Sequence, residues 1–318
     1  MKLIEEIENY IDKFCEQKNI RVVRNKEKLE SQLLSIINKN EGVLTLQDAS
    51  GQNLGIIALS YGLENVVLRA LDNPEASVQQ DRWGRNIGMW AAYKGLENAA
   101  IKALDNPEAS VQQDESGWNI GMYAACSRLE NAVIKALDNP EASVQQDESG
   151  WNIGMYAVDS RLENVVIKAL ENKEASVQQD RCGRNIGMWS AGYGLENAVI
   201  KALDNKEASL QQDYEGRNIG MLAAYKGLED AVIKALDNHK ASVQQDDDGM
   251  NIGMCAADSR LEKAVIKALD NKEASVQQNI WGRTILSFAK EKIPELVENR
   301  DYKEESLDKD FDSLMERV

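Results

Sequence analysis

Residues 81–104 read Asp-Arg-Trp-Gly-Arg-Asn-Ile-Gly-Met-Trp-Ala-Ala-Tyr-Lys-Gly-Leu-Glu-Asn-Ala-Ala-Ile-Lys-Ala-Leu, and close copies of this stretch follow at a constant spacing. The string Asn-Ile-Gly-Met begins every 33 residues, at Asn86, Asn119, Asn152, Asn185, Asn218 and Asn251. A fixed period of this length is typical of a solenoid, in which each unit buries its apolar face against its neighbours. We therefore interpret the central part of the chain as one array of repeats with end caps.

The array divides into eight frames, each beginning one residue before an x-x-Gly turn. We name the frames by their first residues: Asp48, Asp81, Asp114, Asp147, Asp180, Asp213, Asp246 and Asn279. The predicted array covers residues 48–298, and its last frame is truncated. Residues 1–47 are predicted to form an N-terminal helical cap or a degenerate repeat, and residues 299–318 an acidic C-terminal capping helix. Both caps contain apolar residues at helical spacing.

Local signals within a frame predict a turn followed by two helices. Asp81 and Gly84 occupy the first and fourth positions of a predicted type I turn. Asn86 is placed to cap a first helix that ends near Gly95. The apolar positions of residues 96–104 then have the spacing of a second helix with one buried face.

The segment after the second helix is predicted to be extended. Pro107 interrupts the helical pattern, and residues 109–113 have the appearance of an arm that leads into the next turn. The arm ends in a Gln-Gln pair that repeats without change, at Gln112 and Gln113 in this frame. We expect these glutamines to hydrogen-bond the backbone of neighbouring arms.

These features together resemble an ankyrin repeat, a turn-helix-helix unit of 33 residues. The Asp-x-x-Gly turn, the Ala91-Ala92 pair, the interhelical Gly95 and the apolar stripe of the second helix carry the resemblance, which spans residues 48–298. Asn-Ile-Gly-Met stands where ankyrin repeats have Thr-Pro-Leu-His, and Met lacks the hydrogen bonds of His. The resemblance implies an all-α, curved stack of helix-turn-helix units with hairpin-like arms and helical end caps. A generic αα-solenoid without extended arms is the alternative.

Composition argues against enzymatic chemistry. The 318 residues include a single His and four widely spaced Cys, which gives little material for a metal site or for a nucleophile with its base. We therefore expect a non-enzyme with no cofactor and no metal. No apolar run is long enough to cross a membrane and no secretory signal is visible, so we predict a cytoplasmic protein, or one delivered to a host cytoplasm if it is an effector.

Frames that are otherwise nearly identical differ in two places. One is the turn that opens the frame together with the residue after it, which we call the hairpin tip, and the other is the first helix. All six Trp lie at these variable positions. The resemblance implies that these positions line the concave side of the stack. Trp, Tyr and Arg are enriched among interface hot spots. The predicted partner-binding residues are Arg82, Trp83, Arg85, Trp90, Tyr93, Trp118, Tyr123, Trp151, Tyr156, Arg181, Arg184, Trp189, Arg217 and Trp281.

The sequence thus predicts a macromolecular-recognition module that binds a protein partner, as an effector or inhibitor of another protein. The formal net charge of -16 argues against general binding to nucleic acid or to an anionic membrane. A nucleic-acid or nucleotide binder that uses the arginines and aromatics is one alternative, and a structural spacer is another. For Trp90, Tyr123, Tyr156 and Trp189, ordinary packing between repeats is the competing interpretation.

Overall fold

The computed structural model of the protein describes residues 22–298, and within them it is all-helical apart from one isolated bridge between Gln47 and Asn53. These residues form two compact units that divide between Val165 and Val166. In each unit, helices of successive frames pack side by side. The prediction of an all-α fold built from helical repeats is confirmed. Residues 1–21 of the predicted N-terminal cap and the predicted capping helix over 299–318 lie outside the described residues.

Each complete frame contains three helices, which we call first, second and third. The first helices are Leu54–Ser60, Ile87–Tyr93, Ile120–Cys126, Ile153–Asp159, Ile186–Tyr193, Ile219–Tyr225, Ile252–Asp258 and, in the last frame, Ile285–Lys292. The second helices are Glu64–Leu71, Glu97–Ala103, Glu130–Leu137, Glu163–Ala169, Glu196–Ala202, Glu229–Ala235, Glu262–Leu269 and Pro294–Glu298. The third helices are Pro74–Val78, Pro107–Val111, Pro140–Val144, Lys173–Val177, Lys206–Leu210, His239–Ser242 and Lys272–Val276.

Two elements precede the first frame. The helix Val22–Lys39 buries Leu29, Leu33 and Ile37, which lie four residues apart and so face the same side. A short 3-10 helix, Glu41–Thr45, connects it to the first frame. The Glu30 carboxylate accepts the backbone N–H of Asn65 at 2.8 Å, at the start of a second helix. The Val22–Lys39 helix therefore holds in place the first turn of the neighbouring second helix, Glu64–Leu71.

The hairpin tip and the first helix form as the local sequence predicts. Gly84 N–H donates to the Asp81 carbonyl at 2.9 Å and has φ of +78°, a left-handed conformation that glycine adopts without steric cost. The side chain of Asn86 accepts the N–H of Met89 and so caps the helix Ile87–Tyr93. Within each unit, tips of successive frames are joined by one backbone hydrogen bond, such as Glu115 N–H to the Trp83 carbonyl at 3.0 Å.

The predicted extended arm is wrong over residues 109–111, which belong to the third helix Pro107–Val111. Proline at the first helical position lacks only an N–H that has no partner within the helix, and its fixed φ suits the helix. Asn106 completes the start by accepting the N–H groups of Glu108 and Ala109. The pair Asn106-Pro107 therefore marks the N-terminus of a helix. Within the predicted arm, only Gln112 and Gln113 are extended.

Residues in and beside the third helix also hold the start of the first helix, where the motif contains Met in place of His. Asn86 is fully buried, and its Nδ2 donates to the Ala109 carbonyl at 3.1 Å and to Gln112 Oε1 at 2.8 Å. Gln112 Nε2 in turn donates to the carbonyl of Val78 in the preceding frame, at 2.8 Å. The prediction that the repeated glutamines bond neighbouring backbone is confirmed. Within each unit, Asn and Gln of this pattern link a first helix to its own third helix and to the frame before it.

The core is filled by small and branched side chains from first and second helices. Gly88 allows close packing, because a Cβ at this position would lie 2.5 Å from both Ala103 Cβ and Ile120 Cδ1. Ile87 and Met89 beside it are fully buried. The glycine of Asn-Ile-Gly-Met therefore serves packing between frames. No helix among residues 22–298 has the length and apolarity needed to cross a membrane.

Candidate partner-binding surface

The aromatic residue before the Ala-Ala pair is anchored to the first residue of its own frame. Trp90 Nε1 donates to Asp81 Oδ2 at 2.9 Å, and the Tyr123 hydroxyl donates to Asp114 Oδ2 at 2.6 Å. The other carboxylate oxygen, Asp81 Oδ1, accepts the N–H groups of Trp83 and Arg85, each at 2.9 Å. One carboxylate thus folds the hairpin tip and also fixes the ring on the first helix.

The same arrangement recurs in both units with different donors. In the frame of Asp147 the donor is the hydroxyl of Tyr156. In the frame of Asp180 it is Trp189 Nε1, at 2.9 Å. Each of these rings therefore has a structural partner within its own frame, whereas the competing interpretation was packing between repeats. Sequence reasoning assigned the aspartates to the turn alone and missed their second role, although an aspartate nine residues before each donor was a visible signal.

The frame of Asp213 replaces the aromatic donor with an arginine. Leu222 stands at the aromatic position, and Arg217 Nη2 and Nε donate to Asp213 Oδ2 at 2.8 and 3.1 Å. Burial alone would raise the pKa of Asp213, but hydrogen bonds from the side chain and backbone of Arg217 outweigh it and lower that pKa. The second carboxylate oxygen is thus satisfied in this frame as well.

In the first unit the anchored rings and three aromatic neighbours form a continuous row. Trp90 and Tyr93 meet edge to face, with centroids 5.8 Å apart, and Tyr93 meets Tyr123 of the next frame at 6.3 Å. Trp118 lies between Tyr123 at 5.0 Å and Tyr156 at 4.5 Å. Contacts of this geometry stabilise aromatic pairs beyond the area they bury. The row continues to Trp151, 5.1 Å from Tyr156, and we call these six residues the aromatic ladder.

Arginines extend the ladder at one end. The Arg85 guanidinium lies between two indoles, 4.5 Å from the Trp83 ring centroid and 3.9 Å from that of Trp90. Arg82 lies over the outer part of this stack, 3.9 Å from the Trp83 ring. Nine predicted site residues of the first unit therefore form one contact network, which joins the hairpin tips to the first helices.

Access to solvent differs along the network. The Tyr93 side chain is 59% exposed and that of Trp83 is 37% exposed, so both present ring surface to a partner. Trp90, Trp118, Tyr123 and Trp151 are half-buried. Tyr156 is only 8% exposed, which leaves it the role of supporting Trp118 and Trp151 from below.

Electrostatics hold the tyrosines as neutral hydrogen-bond donors. Burial, followed by the hydrogen bond to Asp114, raises the pKa of Tyr123 well above its usual value. Burial and the bond to Asp147 do the same for the pKa of Tyr156. Partial desolvation and the nearby charge of Asp159 raise the pKa of the Cys126 thiol to about 11. The ladder therefore lies in a region where added negative charge is unfavourable.

The remaining predicted residues lie in the second unit and form smaller groups. The Arg184 guanidinium lies 5.2 Å from the Trp189 ring centroid, and its Nε lies 3.5 Å from Asp213 Oδ2. Arg181 is exposed at a hairpin tip, as is Trp281, which is 63% exposed. Sequence reasoning left out Tyr214, which is 77% exposed at a tip of this unit.

Across residues 22–298, no three His, Cys, Asp or Glu side chains come together in a way that could hold a metal ion. Cys126, Cys182 and Cys255 are free thiols.

No protein-family model matches the chain, and no curated protein sequence matches it. The fold and the surface therefore define the class: a protein of stacked helical repeats whose hairpin tips and first helices carry linked aromatic and arginine side chains.

Proposed function

We propose that the protein is a non-enzymatic recognition module that binds a protein partner through the aromatic ladder and the arginines beside it. The observation that carries this proposal is the unbroken contact network from Arg82 to Trp151, half open to solvent. Large aromatic and arginine side chains on a rigid scaffold are the groups that supply most of the binding energy at protein interfaces. Aspartates anchor Trp90, Tyr123 and Tyr156, so these three rings lose little conformational entropy when a partner binds.

We also propose that the frames are divergent ankyrin repeats. The turn, the capping Asn, the paired helices and the 33-residue period support this identity. The third helix and the Asn-Gln linkage are the departures from the expected pattern. We further propose that the protein acts in the cytoplasm, or in a host cytoplasm as an effector or inhibitor, which the free thiols support.

The proposal is tested by affinity capture on the full chain with matched variants. Trp83→Ser combined with Tyr93→Ala removes the two most exposed rings of the first unit, and Ser116 and Ser149 already occupy the position of Trp83 in the next frames. Ile134→Ala is the control, because it removes an exposed apolar side chain from a second helix. We expect captured protein to be lost with the double variant and retained with the control.

Three other outcomes would contradict the proposal. Recovery of nucleic acid in place of protein, with binding that weakens steeply as salt rises, would favour the nucleic-acid alternative. Capture that does not change in the double variant would exclude this surface. If all variants retain nothing and circular dichroism shows intact helicity, a structural spacer becomes the better description.

A further inference from the structure

Two neighbouring frames of the ladder have tryptophan at a position where four other frames have arginine. The residue after the turn glycine is arginine in four frames: Arg85, Arg184, Arg217 and Arg283. In the frames of Asp114 and Asp147 this position holds Trp118 and Trp151. These two frames supply four of the six ladder residues, and we call them the two ladder frames; each has an aromatic ring where four other frames have a cation.

Where arginine is present, its guanidinium packs on an aromatic ring of its own frame in three of the four cases. Arg85 lies 3.9 Å from the Trp90 ring centroid, Arg184 lies 5.2 Å from that of Trp189, and Arg283 lies 3.8 Å from that of Phe288. A ring face carries negative partial charge and attracts a cation within about 6 Å. The surface therefore repeatedly places a guanidinium over an aromatic ring, and Trp118 and Trp151 add further rings at the arginine position of their frames.

The negative formal charge of the two ladder frames favours the binding of a cation. Each carries a formal charge of -3, whereas the frame of Asp81 is neutral. Asp81 forms an ion pair with Arg85 at 3.3 Å, but the hydrogen-bond donor to Asp114 Oδ2 is the uncharged hydroxyl of Tyr123. Glu115 and Glu148 are exposed at adjacent hairpin tips beside the ladder. Rings and carboxylates together attract ammonium and guanidinium groups and repel anions.

We propose that the aromatic ladder binds a basic, extended segment of a partner protein, whose arginine or lysine side chains stack on Trp118 and Trp151 beside the carboxylates of Glu115 and Glu148. This inference rests on the proposed function and names the chemistry of its partner. An extended polyproline-like segment advances about 3.1 Å per residue with three residues per turn. Packed helices lie roughly 8–10 Å apart. Basic residues at every third position therefore meet successive frames.

The test uses labelled synthetic peptides of one length and the full chain, followed by fluorescence anisotropy. The first peptide has arginine at every third position, and in the second and third peptides glutamate or leucine replaces the arginines. A single-stranded oligothymidylate is the fourth probe. We expect the arginine peptide to bind with an affinity that falls as salt rises, and the other probes to bind at least about tenfold more weakly.

The main variant combines Trp118→Arg with Trp151→Arg, a change the fold accommodates because other frames carry arginine at this position. It should weaken binding of the arginine peptide by about tenfold or more. Glu115→Gln with Glu148→Gln should weaken it less and reduce its salt dependence. Glu130→Gln with Glu141→Gln removes the same charge from exposed positions on the second and third helices and should leave affinity within about twofold.

The outcomes separate this inference from the proposed function. The proposal of a basic partner is overturned if the arginine peptide does not bind. It is also overturned if the variant with Trp118→Arg and Trp151→Arg binds this peptide as tightly as the unchanged protein. Binding of the leucine or glutamate peptide that requires Trp118 and Trp151 also overturns it, but leaves the ladder as a protein-binding surface. Binding of the oligothymidylate at the ladder overturns both proposals.

Discussion

The indole Nε1 of Trp90 lies 2.9 Å from Oδ2 of Asp81, the residue that opens the same frame. The other oxygen of this carboxylate accepts two backbone N–H groups and holds the hairpin tip in shape. Ring position and tip conformation are therefore coupled through one side chain. The frames thus vary the surface residue while an aspartate keeps its orientation constant.

The first prediction concerns the hydroxyl that anchors the ladder. Tyr123→Phe keeps the ring and its contacts but removes the bond to Asp114. We expect the free energy of unfolding to fall by about 1–2 kcal/mol, as is typical when a hydrogen bond to a charged group is lost. Urea denaturation would show this as a lower midpoint. Tyr214→Phe is the control, because Tyr214 is largely exposed, and it should change stability by less than about 0.5 kcal/mol.

The second prediction contrasts two aspartates at the same position in neighbouring frames. The pKa of Asp213 is lowered in the fold, since the bonds from Arg217 outweigh burial. Its ionised form therefore stabilises the native state above about pH 4, and this contribution is lost as pH falls through the lowered pKa. Burial raises the pKa of Asp246, so its ionised form is unfavourable in the fold and that penalty disappears as pH falls.

Asparagine substitutions test this contrast without destroying the turn, because Asn279 already fills this position and accepts the N–H groups of Trp281 and Arg283. Asp213→Asn should lower stability at pH 7 and lessen the loss on acidification. Asp246→Asn should raise stability at pH 7, and the advantage should shrink as pH falls. Urea denaturation of both variants from pH 3 to pH 7 measures these slopes. Identical pH profiles for the two variants would contradict the opposite pKa shifts.

Features that depend on a few adjacent residues were predictable from the sequence. The turn at Asp81, the Asn86 cap and the two helices of each frame all have local signals, and the structure contains them. The third helix had signals too, in Asn106 and Pro107, but a five-residue segment beside a proline was interpreted as an extended arm. Pro107 was interpreted as a helix breaker, although proline is favoured at the first position of a helix.

The candidate surface was predictable as a set of residues but not as a network. Variation between frames identified Trp118 and Tyr156, which lie 38 positions apart in the chain and 4.5 Å apart between ring centroids. That distance depends on how neighbouring frames pack, which no single frame encodes. The burial of Tyr156 was equally hidden, because Tyr123 occupies the same position in its frame and is half-buried. Identical residues at equivalent positions thus differ in exposure through their neighbours.

The third prediction separates two glycines on first helices. Gly88→Ala would place a Cβ 2.5 Å from Ala103 Cβ and Ile120 Cδ1, so the frames must move apart, at a cost of about 1–3 kcal/mol. Gly192→Ala meets no atom within 4 Å and gains helix propensity, so it should stabilise the protein by roughly 0.5–1 kcal/mol. Thermal or urea unfolding of both variants checks the sign. Equal effects would mean that contacts between frames do not limit residue size at Gly88.

The last prediction concerns an arginine in a left-handed conformation. Arg128 has φ of +58° at the position where the preceding frame has Gly95, at +77°. A side chain in this region costs roughly 1–2 kcal/mol, although glycine loses more entropy on folding. Arg128→Gly should therefore stabilise the protein by up to about 1 kcal/mol, and Gly95→Arg should destabilise it by a similar or larger amount. Urea midpoints of the two variants and of the double exchange measure this. Because both positions are exposed, a loss of stability in Arg128→Gly would mean that contacts of the Arg128 side chain outweigh its backbone strain.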